Sequence, residues 1–302
     1  MSTAAPTQHT PEAHAAETRD KNRAASLSII AAAFLVALKL ATGWLTGSIS
    51  VWASLLDSAM DIFASFVNLI AVRAASRPPD EDHAYGHGKA ESLAGLLQAF
   101  FIAASSFFLI REAVRRLARP FETHFEWFGI ATMLVAAFVS AALVAKLRRT
   151  ARATDSPALK ADAVHYASDV YTNSAALVAL LITALTRWPL ADPLISLGIS
   201  AYILWTAVSV ARESIDVLMD RRLPVEIDET VDAVVRSFRD EGVVGFHDLR
   251  TRRSGSYKFI DLHLEVESGQ SLVEAHALTV RVLRAIEAEI PRSRVQIHTD
   301  PA

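Results

Sequence analysis

Cysteine is absent from all 302 residues. That absence removes disulfides, thiolate metal sites and cysteine nucleophiles together. Any transition-metal chemistry must therefore rest on His, Asp and Glu. Net charge is nearly missing too, at −3, and no dense basic stripe with interleaved aromatics occurs. Nucleic acid is not the partner such a chain implies. The start of the chain does not read as a signal peptide either. The first residues, MSTAAPTQHTPEAHAAETRDKNR, are polar, Ala/Thr/Pro-rich and mixed in charge, with no apolar core. They predict a disordered tail over 1–23, with His9 and His14 solvated in it. No internal repeat and no HExxH occur, and no Ser-His-Asp arrangement is legible. An enzyme is not what these residues predict.

What is present is apolar length. The chain is 52% hydrophobic, with a mean hydropathy of +0.27. Six apolar stretches run over 25–46, 50–74, 90–111, 125–146, 161–185 and 193–211. Each approaches the roughly 20 residues that cross about 30 Å of hydrocarbon. Trp44, Trp127 and Trp188 sit near stretch ends, as interface anchors do. Lys and Arg favour one side by fourteen to five. Arg19, Lys21, Arg23, Arg73, Arg77, Lys89, Lys146, Arg148, Arg149, Arg152, Lys160, Arg212, Arg221 and Arg222 lie there. Both termini are thus expected in the cytoplasm. Arg111, Arg115, Arg116 and Arg119, with Arg187, fall on the other side against the rule, with Glu112, Glu122 and Glu126 as partial offsets.

From about 223 the pattern changes. Segment 225–240 reads as an amphipathic helix behind Pro224. Segments 245–253 and 258–266 read as a strand pair around SerGlySer. Segment 271–289 is a second helix, opened by Ser271 with Glu274 at capping-box spacing, and 294–298 is a last strand. The expected fold is an all-α six-helix transmembrane domain over 24–214 and a cytoplasmic α+β domain over 215–302. The second has the order α-β-β-α-β and is ferredoxin-like, metallochaperone-like.

The second stretch contains SLLDSAMDIFASFVN, so Asp57 and Asp61 share one helical face. The fifth contains ADAVHYASDVYTNS, with His165 and Asp169 at the same spacing. Each ionised side chain at mid-bilayer costs about 2.5–3.5 kcal/mol on insertion scales, so three aspartates cost on the order of 8–10 kcal/mol. Lys39, one charge against three, is insufficient compensation. A divalent cation compensates all of them: two i,i+4 pairs converge four O/N ligands into a tetrahedral site. Ser58, Ser65, Asn68 and Asn173 are candidate supporting groups.

At this point the chain resembles the cation diffusion facilitators, specifically their bacterial zinc and ferrous-iron efflux branch. The resemblance rests on LLDSAMDIFASFVN, HAYGHGKAESLAGL, KADAVHYASDVYTNSAAL, HDLRTRRSG, DLHLEVE and QIHTDP, and spans about 25–301. It implies a homodimer that exports divalent metal in exchange for protons, with Asp57, Asp61, His165 and Asp169 as the transport site. Three carboxylates with one histidine go there with zinc, cadmium or ferrous iron; cobalt is a further candidate cargo. Zn2+ is the expected ion, both carried and structural, and no organic cofactor is expected.

Two further clusters are expected. Asp80, His83 and His87 in the 2–3 loop stand at i, i+3, i+7, although Gly86 and Gly88 argue for irregular backbone. The resemblance carries a loop site onto these three, with Asp82 as a substitute ligand. In the C-terminal domain, strand alternation puts Asp261, His263 and Glu265 on one face and Ile260, Leu262, Leu264 and Val266 on the other. His263, His298 and Asp300 can therefore meet on the face that helices leave open, and dimerisation through that face is natural. The resemblance implies a two-ion cluster of His247, His263, His276, His298 and Asp300. His124 has no partner in the pattern. Lys89 and Asp220 are a candidate inter-domain ion pair. Protons compete with metal for imidazole and carboxylate, so antiport follows from the ligand chemistry. The competing readings are a membrane-anchored metal sensor or scaffold, a membrane metalloenzyme and an ion channel.

Overall fold

The computed structural model of the chain describes residues 11–46, 49–118, 127–186, 188 and 190–302. Side chains of 11–14, 43, 45–46, 49–59, 127–129, 180 and 184 fall outside the described set. Six long helices come first: α1 (Pro11–Thr46), α2 (Ile49–Ala75), α3 (Lys89–Ala118), α4 (Trp127–Thr154), α5 (Pro157–Thr186) and α6 (Ala191–Leu218). They form one compact unit over Thr18–Ile215.

Among the described residues, four segments are long and apolar enough to cross a membrane: Ala15–Thr42, Lys89–Ala118, Ile130–Thr154 and Ala191–Leu218. The helices outside that set, α2 and α5, carry the Asp57/Asp61 and His165/Asp169 pairs, and the side chains of residues 49–59 of α2 are undescribed. The surface is apolar. Phe34, Phe63, Phe100, Phe107, Phe138 and Trp205 are all exposed, the pattern of helices solvated by lipid. Trp44 and Trp188 are exposed at helix ends.

Inside, the helices approach closely through small residues. A Cβ added at Gly95 of α3 would lie 2.8 Å from Ser214 Oγ of α6. The largest core joins Leu69 and Val72 of α2, Leu143, Val144 and Leu147 of α4, and Leu159 and Tyr166 of α5.

Residues 11–23 correct one expectation. They are not an unstructured tail but the first turns of α1. Lys21 is buried and its Nζ lies 3.1 Å from Glu91 Oε1, while Ser156 Oγ donates to Glu91 Oε2 at 2.5 Å. A buried ion pair ties α1, α3 and α5 together, so a polar segment stays helical. Residues 1–10, His9 included, and the His14 side chain lie outside the described residues.

The second unit includes Asp216–Ala302. It contains α7 (Val225–Arg236), a 3-10 turn (Arg239–Glu241), β1 (Val243–Ser254), β2 (Tyr257–Val266), α8 (Leu272–Glu289) and β3 (Ser293–Pro301). The sheet order is β1-β2-β3, antiparallel then parallel. Ile260, Leu262, Leu264 and Val266 meet Leu278, Val282, Ile286 and Ile290, an i,i+4 stripe continuing just past α8. Val231 and Val235 of α7 complete the core. The expected capping box forms: Ser271 Oγ accepts from Glu274 N, and the Glu274 carboxylate accepts from Ser271 N.

Candidate metal centres

The helical centre is built by α2 and α5. Asp61, His165 and Asp169 bring one ligand atom each within 4.8 Å of one another. His165 Nε2 lies 3.1 Å from Asp61 Oδ1, yet that buried nitrogen makes no aligned hydrogen bond. Two carboxylates and one imidazole converging on one point form the mixed oxygen and nitrogen set that a transition cation takes. These side chains line a cavity of about 700 Å³. Its walls include Lys39 of α1, Met60 and Ala64 of α2, Phe108, Arg111 and Glu112 of α3, and Thr172 and Asn173 of α5. Asn173 Nδ2 donates to the Asp169 carbonyl at 2.8 Å and so steadies the ligand turn. The Asp57 and Ser58 side chains lie outside the described residues.

The loop after α2 gathers its three expected residues. His83 Nδ1 lies 3.1 Å from Asp80 Oδ1, and His87 Nε2 lies 3.2 Å from Asp80 Oδ2. The imidazole rings are 4.5 Å apart. Gly86 has φ +82°, a conformation that folds His87 back over Asp80 where a helix would not. The His83 backbone N–H donates to Asp80 at 2.7 Å and holds that carboxyl below its usual range, as an ionised ligand. His87 Nδ1 is buried without a hydrogen bond. Asp82 is exposed and is not part of this group.

The C-terminal unit aligns three histidines across its sheet. His247, His263 and His298 occupy paired positions on β1, β2 and β3. Neighbouring rings are 5.0 and 4.8 Å apart. Asp300 is the hub. Its Oδ2 lies 2.8 Å from His263 Nδ1 and 3.6 Å from His247 Nε2, and its Oδ1 lies 3.3 Å from His298 Nε2. The His263 hydrogen bond, with the nearby imidazoles, keeps Asp300 below the usual carboxylate range.

His247 reaches this row through a bulge. Three steps of β1, from His247 to Arg250, face two steps of β2, from His263 to Asp261. Asp248 takes φ +50° there. Without the extra residue, alternation would set Asp248 opposite His263. The structure does not bring His276 to this cluster: it is exposed on α8, which packs on the other face of the sheet. Glu265, 3.1 Å from His247 Nδ1, is an acidic neighbour that sequence reasoning passed over, although it shares the His263 face.

Other expected residues separate differently. Arg116 pairs with Glu112 at 3.1 Å and with Asp192 at 3.0 Å, and Arg115 reaches Glu112 at 3.7 Å. Acidic partners thus offset the basic run that opposes the charge rule. Arg119, Glu122, His124, Glu126 and Arg187 lie outside the described residues. Asp220 stands 3.5 Å from Arg252 within the C-terminal unit.

A helical unit with a lipid-facing surface and a three-ligand centre around the buried His165, joined to an α+β unit with its own ligand cluster, defines an integral membrane metal-binding protein. The chain belongs to the cation diffusion facilitator family, whose function is cation efflux: the cation efflux transmembrane domain matches residues 25–219 and the cation efflux cytoplasmic domain matches 223–302. It is 43% identical over 281 residues to the cation-efflux pump FieF of Klebsiella pneumoniae (strain 342), covering 93% of both chains. It is 44% identical over 280 residues to the cation-efflux pump FieF of Yersinia pestis (strain Pestoides F), covering 92% of both. The metal-bound C-terminal domain of the CzcD transporter from Thermotoga maritima is 29% identical, covering 26% of this chain and 88% of that one, with a TM-score of 0.24.

Proposed function

We propose that the protein exports a divalent transition cation, zinc foremost, from the cytoplasm in exchange for protons. The route runs through a centre of Asp57, Asp61, His165 and Asp169. One observation carries the reading: Asp61, His165 and Asp169 converge on a cavity wall, with the buried imidazole Nε2 3.1 Å from the Asp61 carboxylate. A mixed oxygen and nitrogen set without thiolate suits Zn2+, and Fe2+, Cd2+ and Co2+ are the competing cargoes. Such ligands bind metal only when deprotonated, so a proton gradient drives exchange at one site.

The setting we propose is a homodimer in a bacterial inner membrane, both termini cytoplasmic. The basic residues on the α2–α3 and α4–α5 loops support that orientation. Asp80, His83 and His87 would hold an accessory ion. His247, His263, His298 and Asp300 would hold structural Zn2+ where two subunits meet. His276, on the opposite face of its own sheet, would then be supplied to the partner's cluster. Lys89 and Asp220 would pair between subunits.

The test is zinc uptake into proteoliposomes under an imposed pH gradient. Wild type should carry zinc and dissipate the gradient, and Asp61→Ala should abolish zinc flux while retaining its helical fold. Retained flux in that variant would remove the centre from the route. A wild type that binds zinc without carrying it would favour a membrane-anchored sensor.

A further inference from the structure

One buried carboxylate has no place in the centre just described. Asp162 lies on α5, one turn before His165 and two before Asp169, so all three share a helix face. It is fully buried. Its Oδ2 accepts from Ser28 Oγ of α1 at 2.5 Å, and its Oδ1 has no hydrogen bond. Asn68 of α2, also buried, lies beside this carboxyl. Its amide Nδ2, which makes no aligned hydrogen bond elsewhere, is the neighbour placed to donate to the carboxylate. Among the described residues Asp162 forms no ion pair. Tyr166 closes over the group: its hydroxyl donates to the Ser28 carbonyl at 2.9 Å and lies 2.8 Å from Ser65 Oγ.

Position gives this cluster its meaning. The cavity at the metal centre is walled on α5 by residues after His165, namely Ser168, Asp169, Thr172 and Asn173. On the antiparallel α2 its walls are Met60, Asp61 and Ala64. Asp162, Asn68 and Ser28 lie toward the other ends of these helices and do not line it. There the helices are sealed by Val72, Leu147, Leu159 and Tyr166. In the orientation proposed above, the open side faces outward and the sealed side faces the cytoplasm. On that orientation Asp162 lies on the cytoplasmic side of the metal centre.

We propose that Asp162 and Asn68 form a second divalent-cation site, a loading site on the cytoplasmic side that receives cargo before Asp61, His165 and Asp169. The inference rests on the transport reading. The carboxylate oxygen that Ser28 does not hold is the charged ligand, and the Asn68 amide, turned from donating to it so as to present its own oxygen, is the neutral one. Ser28 and Tyr166 hold the site shut in this conformation. An oxygen-only pair binds transition metal more weakly than a centre with imidazole, so the ion passes forward and is not trapped.

The experiment uses the full chain in proteoliposomes of sorted orientation, with zinc chloride offered to one face at a time. Asp162→Asn keeps the shape and the acceptor for Ser28 but removes the charge. It should raise the half-saturating zinc concentration about tenfold on the cytoplasmic face and at most twofold on the outer face. Asn68→Ala should shift the cytoplasmic value the same way by a smaller factor, and it carries the comparison if Asp162→Asn does not assemble. An unchanged cytoplasmic value overturns the loading site, and so does an equal rise from both faces, which marks a structural group. If wild type moves no zinc, the transport reading itself fails. If wild type moves zinc and both variants match it, only the loading site fails.

Discussion

Asp300 shows how one carboxylate organises three imidazoles. Each of its contacts stabilises the ionised form, and its carboxyl stays charged below the ordinary value of 3.8. For a carboxylate with a depressed value, the stabilisation is full above the ordinary value and is lost as pH falls through the depressed one. Asp300→Asn should therefore flatten the fall in thermal midpoint as pH drops below about 4 relative to wild type. The same variant should weaken zinc binding to the cytoplasmic cluster by more than the ~10–100-fold typical of groups that only support a ligand. Titration calorimetry on the detergent-solubilised chain checks the second expectation, and an unchanged affinity would remove Asp300 from the ligand set. Asp300 and its two strand neighbours were legible because alternation fixes which side chains share a face. Asp162 was not. Its spacing to His165 was open to reading, but a carboxylate's burial depends on Ser28 and Asn68, which come from distant helices.

At the scale of elements, local rules worked where local chemistry decides. The Ser271 and Glu274 spacing announces a helix start, and the structure forms both reciprocal hydrogen bonds. Those bonds also lower the Glu274 carboxyl, so the cap holds in mild acid and weakens as pH falls through the lowered value. Ser271→Ala should cost about 1 kcal/mol. Amide exchange in the first turn of α8 should quicken about fivefold, and uniform exchange across the mutant would place the helix start elsewhere. Local rules failed at the bulge beside Asp248. Strict alternation gives β1 a face without His247, and only pairing with β2 inserts the extra residue that corrects it. They failed again at 11–23, where a polar run stays helical because Lys21 finds Glu91 seventy residues away.

For the whole molecule, the absence of cysteine becomes an experimental advantage. A Lys89→Cys, Asp220→Cys double variant introduces the only two thiols in the chain. The proposed pairing between subunits predicts an oxidised dimer band on a denaturing gel, since a disulfide needs Cα atoms roughly 4.4–6.8 Å apart. Free thiols after oxidation in a lipid bilayer would argue against the pair. A band at monomer mass would place it within one subunit.

By itself the sequence determined the kinds of element, their faces and most donor atoms. Helical and strand periods are short-range, and i,i+4 pairs such as His165 and Asp169 share a face in any α-helix. Tertiary structure alone decided which faces meet. The convergence of α2 on α5, the row of His247, His263 and His298, the isolation of His276 and the sealed pocket around Asp162 all depend on packing and register between distant segments. Those are set by non-local contacts, which no window along the chain contains.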